Sequence, residues 1–185
     1  METRKGWGMV FMAIAFAVLA IYFYSTSIVN AGMGELFVAI KGAMIVLGTF
    51  FVQVAQIMAE PLYVGAIVGL LSASVLFINS FPDHDADKAK GRKTLVIMMG
   101  KTRASRFFVF FPLAVYCMIA VGILLNMTTI YSLICVAAIP LAVKAGISLR
   151  RNLGGDDTII PAMSFAVKFS RLTGVLLALS FLLGF

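Results

Sequence analysis

Six apolar runs of about 20 residues each constrain this chain more than any other feature of its sequence. They cover residues 6–24, 36–57, 61–81, 105–125, 128–147 and 159–184. At 1.5 Å per helical residue, a run of this length crosses the roughly 30 Å of hydrocarbon in a bilayer. The sequence therefore predicts an all-α, polytopic transmembrane helical bundle with six spans.

The composition excludes a soluble globular domain. Apolar residues make up 62% of the 185 and charged residues only 12%, and the mean hydropathy is +1.04. A soluble core of this size needs a polar surface, so lipid must replace water around most of the chain. Because no long linker separates the runs, residues 1–185 are expected to form a single transmembrane domain.

The positive charges indicate membrane topology and not nucleic-acid binding. The net charge is +7, but most cations lie in two loops beside apolar spans, as the positive-inside rule describes. The rule places the loop after residue 81 in the cytoplasm, within an integral protein of the cytoplasmic membrane. Six crossings then put Met1 outside, which is awkward for a first span with basic flanks, so further helices are expected upstream.

One polar stretch, NSFPDHDADKAKGRKTL at residues 79–95, interrupts the apolar chain. Asp83 and Asp87 are four residues apart, so on a helix their carboxylates share one face and repel each other. A hard divalent cation relieves that repulsion. Mg²⁺ in particular takes one or two protein carboxylates and completes its shell with waters and substrate phosphates.

The cations that follow the aspartates suit a phosphorylated ligand. Lys90, Arg92 and Lys93 come directly after the acids, at a distance where they can meet the phosphates of a metal-bound anion. A charged loop at a membrane face can also be plain solvated topology, but topology alone requires no particular spacing. His84 is expected to be a solvated imidazole and not a ligand.

The spacing N-x-x-x-D-x-x-x-D-x-x-x-G-[KR]-[KR]-T-L resembles the second aspartate-rich motif of the UbiA superfamily of intramembrane prenyltransferases. The string INSFPDHDADKAKGRKTLVIMMG matches that motif at every position. GELFVAIKGAMIVLGTFFVQ, in the second span, is similar to the segment before this motif in the branch that prenylates 1,4-dihydroxy-2-naphthoate. The resemblance extends over essentially the whole chain.

The resemblance implies Mg²⁺-dependent transfer of a prenyl group from a polyprenyl diphosphate to an aromatic acceptor, 1,4-dihydroxy-2-naphthoate in menaquinone biosynthesis. By that likeness Asp83 and Asp87 are catalytic Mg²⁺ ligands, and Asn79 is a supporting polar group. Arg92 and Lys93 would contact the diphosphate. The implied partners are the two substrates and membrane lipid, with no nucleic acid.

The chain departs from the family pattern in its first half. Family members have nine transmembrane helices, and their first motif, N-D-x-x-D-x-x-x-D, is absent here. The six runs correspond to the last six helices, with Tyr24 at the family's Y-[ST] segment and as a candidate substrate contact. We therefore expect one part of a split or truncated enzyme, inactive without a polypeptide that carries the first motif.

Polar residues inside the spans are further candidates. Lys41 replaces a lysine that relatives have after the tyrosine, or its stem reaches back to the headgroups. Gln53 is expected either to hydrogen-bond the acceptor ring or to form a hydrogen bond between two helices. Lys168 and Arg171 lie too deep for easy access to the headgroups, so a polar cavity or a carboxylate partner is expected for at least one of them.

Two alternatives to an enzyme remain open. The first is a non-catalytic membrane subunit or a degenerate relative that keeps only the second aspartate motif. The second is a Mg²⁺-handling transporter, which should place acids along a path through the membrane. Acids are absent from the helix interiors, which argues against transport.

Overall fold

The computed structural model describes residues 32–153 and 156–184, and this part of the chain is helical throughout, without a strand. The predicted first span, residues 6–24, and Tyr24 lie outside the described residues. The helices are α1 (Gly34–Val54), α2 (Ala59–Asn79), α3 (His84–Ala89), α4 (Leu95–Met99), α5 (Lys101–Phe107), α6 (Phe110–Leu124), a 3₁₀ helix (Ile130–Ala138), α7 (Ile139–Arg151) and α8 (Asp156–Leu183).

Within residues 32–153 and 156–184, five helical segments are long and apolar enough to cross a membrane. They are Gly34–Val54, Ala59–Asn79, Lys101–Leu124, Ile130–Arg151 and Ile159–Leu183. Large apolar side chains face outward along them, for example Val52 at 84% exposure and Leu124 at 81%. Contact between such an apolar surface and water is unfavourable, whereas contact with lipid is not. The chain is therefore an integral membrane protein with an all-helical bundle, and the second to sixth predicted spans are confirmed as helices.

Two proline residues lie near the points where two of these spans change from one helical segment to the next. Pro112 has no N–H to donate to the carbonyl of Phe108, and the helix is interrupted between α5 and α6 at that point. Pro140 is the second residue of α7 and follows the nine-residue 3₁₀ helix. The early position suits proline, because the first turn of a helix needs no N–H donors.

α1 and α2 pack against each other through their backbones. A Cβ atom added at Gly42 would lie 2.7 Å from the Cα of Gly69, and one added at Gly65 would lie 2.8 Å from the carbonyl oxygen of Ala43. Such atoms cannot fit, so glycine is required at these positions. Small residues allow this close approach of helices where lipid offers no hydrophobic driving force.

An aromatic cluster fixes the end of α2 against the α5–α6 segment. The Phe77 ring centroid lies 5.7 Å from Phe81, 5.8 Å from Phe107 and 5.1 Å from Phe111. The rings meet at tilted or edge-on angles, the arrangement that aromatic pairs prefer. The loop between α2 and α5, residues 80–100, is thus anchored at both ends. We call this end of the bundle the loop face.

Buried hydroxyl groups join the remaining helices near the opposite end. Ser132 and Ser180 are 2.9 Å apart, and Thr129 donates to the carbonyl of Ser180 at 3.0 Å. Tyr116 donates to the carbonyl of Cys135 at 3.0 Å. In a bilayer every polar group needs an internal partner, and these bonds tie the 3₁₀ helix to α6 and α8.

Candidate functional site

Asn79 ends α2 at the loop face. Its side-chain oxygen Oδ1 is buried and has no hydrogen-bond partner within the described part of the chain. Buried polar atoms are usually paired, and an unpaired acceptor costs about 1–3 kcal/mol. An oxygen left in this state one turn before Asp83 suggests a ligand or an ion that supplies the missing partner.

Asp83 and Asp87 keep a helical relation, as the sequence spacing indicates. Asp83 immediately precedes α3, and the backbone N–H of Asp87 donates to its carbonyl at 2.7 Å. The two side chains differ in their surroundings. The carboxylate of Asp83 is exposed and has no hydrogen-bond partner among the described residues, whereas Asp87 is only 9% exposed. One carboxylate is thus open to solvent and the other is held inside the loop.

The end of α3 turns the following arginine back onto Asp87. Gly91 has φ +75°, the left-handed conformation that glycine adopts without strain. Gly91 N–H donates to the carbonyl of Lys88 at 3.1 Å and Arg92 N–H to that of Asp87 at 3.0 Å, which together form a Schellman motif. Arg92 Nη1 then donates to Asp87 Oδ1 at 2.9 Å. The glycine of the motif therefore shapes the chain that places Arg92.

Substituting Gly91 with alanine should loosen this turn. A Cβ atom there meets nothing within 4 Å, so the expected cost is conformational, about 1–2 kcal/mol for an L-residue in the left-handed region. The measurement is the free energy of unfolding of purified protein in detergent. Lys90→Ala, one residue earlier, serves as the control with little expected effect. Equal stability of the two variants would contradict the assigned turn.

Thr94 begins the next short helix. Its side-chain oxygen accepts from the backbone N–H of Ile97 at 3.3 Å, which makes it the N-cap of α4. The preceding residue, Lys93, is exposed, and no ion pair binds it in the described structure. The last residues of the motif thus combine a structural cap with a cation that is available to a ligand.

A second carboxylate network braces the same loop from outside. Asp85 lies 2.7 Å from His84 Nδ1 and accepts from Lys101 Nζ at 3.2 Å. The bond with His84, together with Lys101, lowers the pKa of Asp85 from its ordinary value of 3.8. The expectation of a solvated His84 is wrong, because its side chain is only 12% exposed. Asp85 therefore links α3 to α5, and both of its carboxylate oxygens already have partners.

The structure separates two other predicted candidates from this loop. Lys41 lies on the exposed surface of α1, about 10 Å along the helix from its start at the loop face. Gln53 is near the other end of α1, roughly 28 Å from that start, on a shallow groove with Met44 and Val52. Residues 79–93 hold Asn79, Asp83, Asp87, Arg92 and Lys93, and in this segment Arg92 contacts Asp87. Gln53 lies apart from it.

The deep cations of the last span have an aromatic neighbour. Lys168 Nζ lies 6.0 Å from the ring centroid of Phe165, and Lys144 Nζ from α7 lies 5.9 Å from the same centroid. Both distances are within the range of cation–π attraction. Arg171 is exposed on the same helix. None of the three forms an ion pair within the described residues.

Glu35 is a residue of this region that the sequence patterns miss. It lies in the first turn of α1 and is 6% exposed, although the apolar run predicts a span that starts only at residue 36. Its oxygen Oε1 has no hydrogen-bond partner among the described residues. An acid placed directly before a long apolar run was the signal available in the sequence.

The oxygen donors at the loop face fit Mg²⁺. Asp83 offers a free carboxylate, Asp87 keeps its Oδ2 clear of the bond to Arg92, and Asn79 Oδ1 lacks a partner. Hard oxygen ligands of this kind suit Mg²⁺, which needs few protein groups when phosphates and waters complete its shell. No cluster of three or more His, Cys, Asp or Glu side chains occurs within the described ranges, so a cage made only of protein is not formed there.

The described helices form a membrane bundle, and one end of it carries an aspartate pair, an ordered arginine and a lysine without an ion pair in the described structure. The family of the protein follows from its sequence. Residues 5–166 match the model of the UbiA prenyltransferase family. Since this match covers most of the chain, the chain belongs to that family. No solved structure matches it significantly.

Curated relatives narrow the likeness within the family. The chain is 26% identical over 153 residues to 1,4-dihydroxy-2-naphthoate octaprenyltransferase of Escherichia coli K12, covering 82% of this chain and 49% of the relative. It is 24% identical over 152 residues to 2-carboxy-1,4-naphthoquinone phytyltransferase of Synechocystis, covering 80% and 48%. A 1,4-dihydroxy-2-naphthoate octaprenyltransferase of Bacillus subtilis is 37% identical over 68 residues, covering 36% and 22%. The chain thus spans about half the length of the first two relatives.

Proposed function

We propose that this chain forms the second diphosphate-binding arm of a Mg²⁺-dependent prenyltransferase, which transfers a prenyl group from a polyprenyl diphosphate to an aromatic acceptor. The observation that carries the proposal is the line of Asn79, Asp83 and Asp87 at the end of a membrane span, followed by Arg92 and Lys93. It stands in a chain of the UbiA prenyltransferase family. The proposed location is the cytoplasmic membrane, with the loop face toward the cytoplasm.

The loop residues divide the work of binding a diphosphate. Asp83, which is exposed and unpaired, and the free oxygen of Asp87 hold the metal side of the ligand. Arg92 is fixed by Asp87 before any ligand arrives, so its remaining N–H groups are aimed at low entropic cost. Lys93 supplies a mobile second cation. These charges favour a departing diphosphate over a bound one, because negative charge develops on the leaving group.

Mg²⁺ held by Asp83 and Asp87 would supply positive charge to the diphosphate leaving group. Cleavage of the allylic C–O bond releases diphosphate with the bonding electron pair and leaves carbocation character on the prenyl carbon. A ring carbon of the aromatic acceptor forms the new C–C bond and then loses its proton, or its carboxyl group as CO₂, to restore the aromatic ring. The buried cluster around Phe77 lies beneath the loop and fixes the position of these charged residues relative to the bundle.

The acceptor we propose is 1,4-dihydroxy-2-naphthoate, on the way to menaquinone. Two of the relatives carry that compound in their names, and the third is named for a carboxylated naphthoquinone. The two longer matches cover 80% or more of this chain. The compounds in these names share a two-ring naphthalene skeleton with oxygens at positions 1 and 4 and a carboxyl group at position 2.

We further propose that the chain works as the C-terminal part of a split or truncated enzyme. The family pattern uses two aspartate motifs, and this sequence contains only the second. The proposed partner is a membrane polypeptide that carries N-D-x-x-D-x-x-x-D and closes the site opposite Asp83.

The test is prenyl transfer measured in membranes from labelled farnesyl diphosphate to 1,4-dihydroxy-2-naphthoate. We expect no product from the chain alone, and product when it is expressed with a polypeptide containing the first three helices of a relative. The matched control is the same co-expression with Asp83→Asn. Activity of the isolated chain would refute the split arrangement, and inactivity in both cases would favour a non-catalytic relative.

A further inference from the structure

Glu35 stands at the loop face as a buried acid whose role the proposed chemistry does not use. It is 6% exposed, and its Oε1 has no hydrogen-bond partner among the described residues. The backbone N–H of Leu95, the first residue of α4, interacts with the same carboxyl group. Glu35 thus contacts the end of the aspartate motif from a different span.

The start of α1 forms a wall beside this motif. A Cβ atom added at Gly32 would lie 2.8 Å from the carbonyl oxygen of Lys93 and 2.7 Å from Met98 Sδ. One added at Gly34 would lie 3.8 Å from Leu76 Cδ2, three residues before Asn79. Glu35 therefore sits where the beginning of α1, the end of α2 and the basic part of the loop meet.

The missing partner of Glu35 is a hydrogen-bond donor. A buried carboxylate oxygen without one is costly, commonly by more than a neutral group. No lysine or arginine pairs with Glu35 in the described structure, and it belongs to no cluster of potential metal ligands there. Asn79 Oδ1 is a second unpaired acceptor at the same end of the helix pair. Because Asn79 Oδ1 is a proposed Mg²⁺ ligand, Glu35 Oε1 is the acceptor that remains for a ligand that brings a hydroxyl group.

We propose that Glu35 binds the aromatic acceptor by accepting a hydrogen bond from one of its ring hydroxyl groups through Oε1. The proposal rests on the proposed function, which supplies a hydroxylated aromatic as substrate. Glu35 then fixes the rotation of the ring in its own plane and so selects the ring carbon that faces the prenyl group. It also selects hydroxylated rings over rings whose oxygens are alkylated, since only a hydroxyl group has a proton to donate.

The experiment compares two ligands on the full chain co-purified with a polypeptide that carries the first three helices of a relative, in lipid nanodiscs under nitrogen. The first is 1,4-dihydroxy-2-naphthoate, and the second is 1,4-dimethoxy-2-naphthoate, which has the same ring without donors. Glu35→Gln keeps the side-chain shape and removes the charge. Glu60→Gln is the matched control, because Glu60 also lies in the first turn of a span but at the other end of the bundle. Mg²⁺-dependent binding of a diphosphate analogue is measured on every variant.

We expect Glu35→Gln to weaken the dihydroxy ligand about tenfold or more, as loss of a charged hydrogen bond should. Binding of the dimethoxy ligand and of the diphosphate analogue should not change, and Glu60→Gln should match wild type throughout. Unchanged affinity for the dihydroxy ligand in Glu35→Gln would overturn the role of Glu35 and leave the proposed function standing. Loss of diphosphate binding in Glu35→Gln would show a structural role and overturn it too.

The wild-type chain, assembled with the polypeptide that carries the first motif, separates the two levels of the proposal. If it binds the diphosphate analogue but no hydroxylated naphthoate, the inference about Glu35 is wrong while the diphosphate site remains. If it binds neither the diphosphate analogue nor the naphthoate, the proposed function fails, and the inference fails with it.

Discussion

Asp83→Asn is expected to abolish Mg²⁺-dependent binding of a prenyl diphosphate analogue. The substitution keeps the size of the side chain and removes the one carboxylate of the pair that is exposed and unpaired among the described residues. A unit charge at 4 Å is worth roughly 4 kcal/mol at an effective dielectric of 20, and each 1.36 kcal/mol is a factor of ten. Affinity of the enzyme assembled with a first-motif polypeptide should therefore fall by about 100-fold or more, measured by calorimetry with and without Mg²⁺.

Asp85→Asn is the matched control for this substitution. Asp85 lies two residues away in the same helix but is 80% exposed and already paired with His84 and Lys101. Its loss should leave Mg²⁺-dependent binding within about twofold of wild type, because exposed ion pairs contribute little. Similar losses in both variants would mean that the loop acts through its overall charge, and the metal role of Asp83 would be withdrawn.

Gly69→Ala is expected to destabilise the bundle more than any other single methyl group added in the described structure. The new Cβ atom would collide with the carbonyl oxygen of Ala39, and a backbone atom cannot rotate away. α1 and α2 must then separate, and overpacking of this kind costs typically 1–3 kcal/mol and occasionally more. Thermal unfolding in detergent should show a clearly lower midpoint.

Gly48→Ala provides the control within the same helix pair. Gly48 lies in α1, where an added Cβ atom meets nothing within 4 Å. Alanine is also the better helix former there, so stability should be unchanged or slightly higher. If Gly69→Ala unfolds at the same temperature as Gly48→Ala, the close crossing of α1 and α2 does not exist in the protein.

Much of the fold could be predicted from the sequence because run length in a membrane protein is a strong physical constraint. The boundaries were less predictable. The segment that begins at Ile130 starts as a 3₁₀ helix, and the segment with Pro112 begins already at Lys101. Local hydrogen bonding and proline decide such details, and hydropathy does not report them.

The site was predictable as a line of residues but not as an arrangement. Spacing indicates that Asp83 and Asp87 lie one turn apart, yet it cannot tell that Arg92 folds back to bind Asp87. That contact depends on the left-handed turn at Gly91. Glu35 escapes sequence reasoning for a related reason: its burial results from contact with α4, some 60 residues later in the chain.

The glycine crossing limits how the site can open. α1 and α2 meet backbone to backbone, with no long side chains between them whose rotamers would absorb a slide. α1 and α2 should therefore move as one rigid pair. The distance between Glu35 on α1 and Asn79 on α2 should then stay constant. Any widening that admits a long isoprenoid tail must then come from movement of the 80–100 segment or from separation of the helices that follow it.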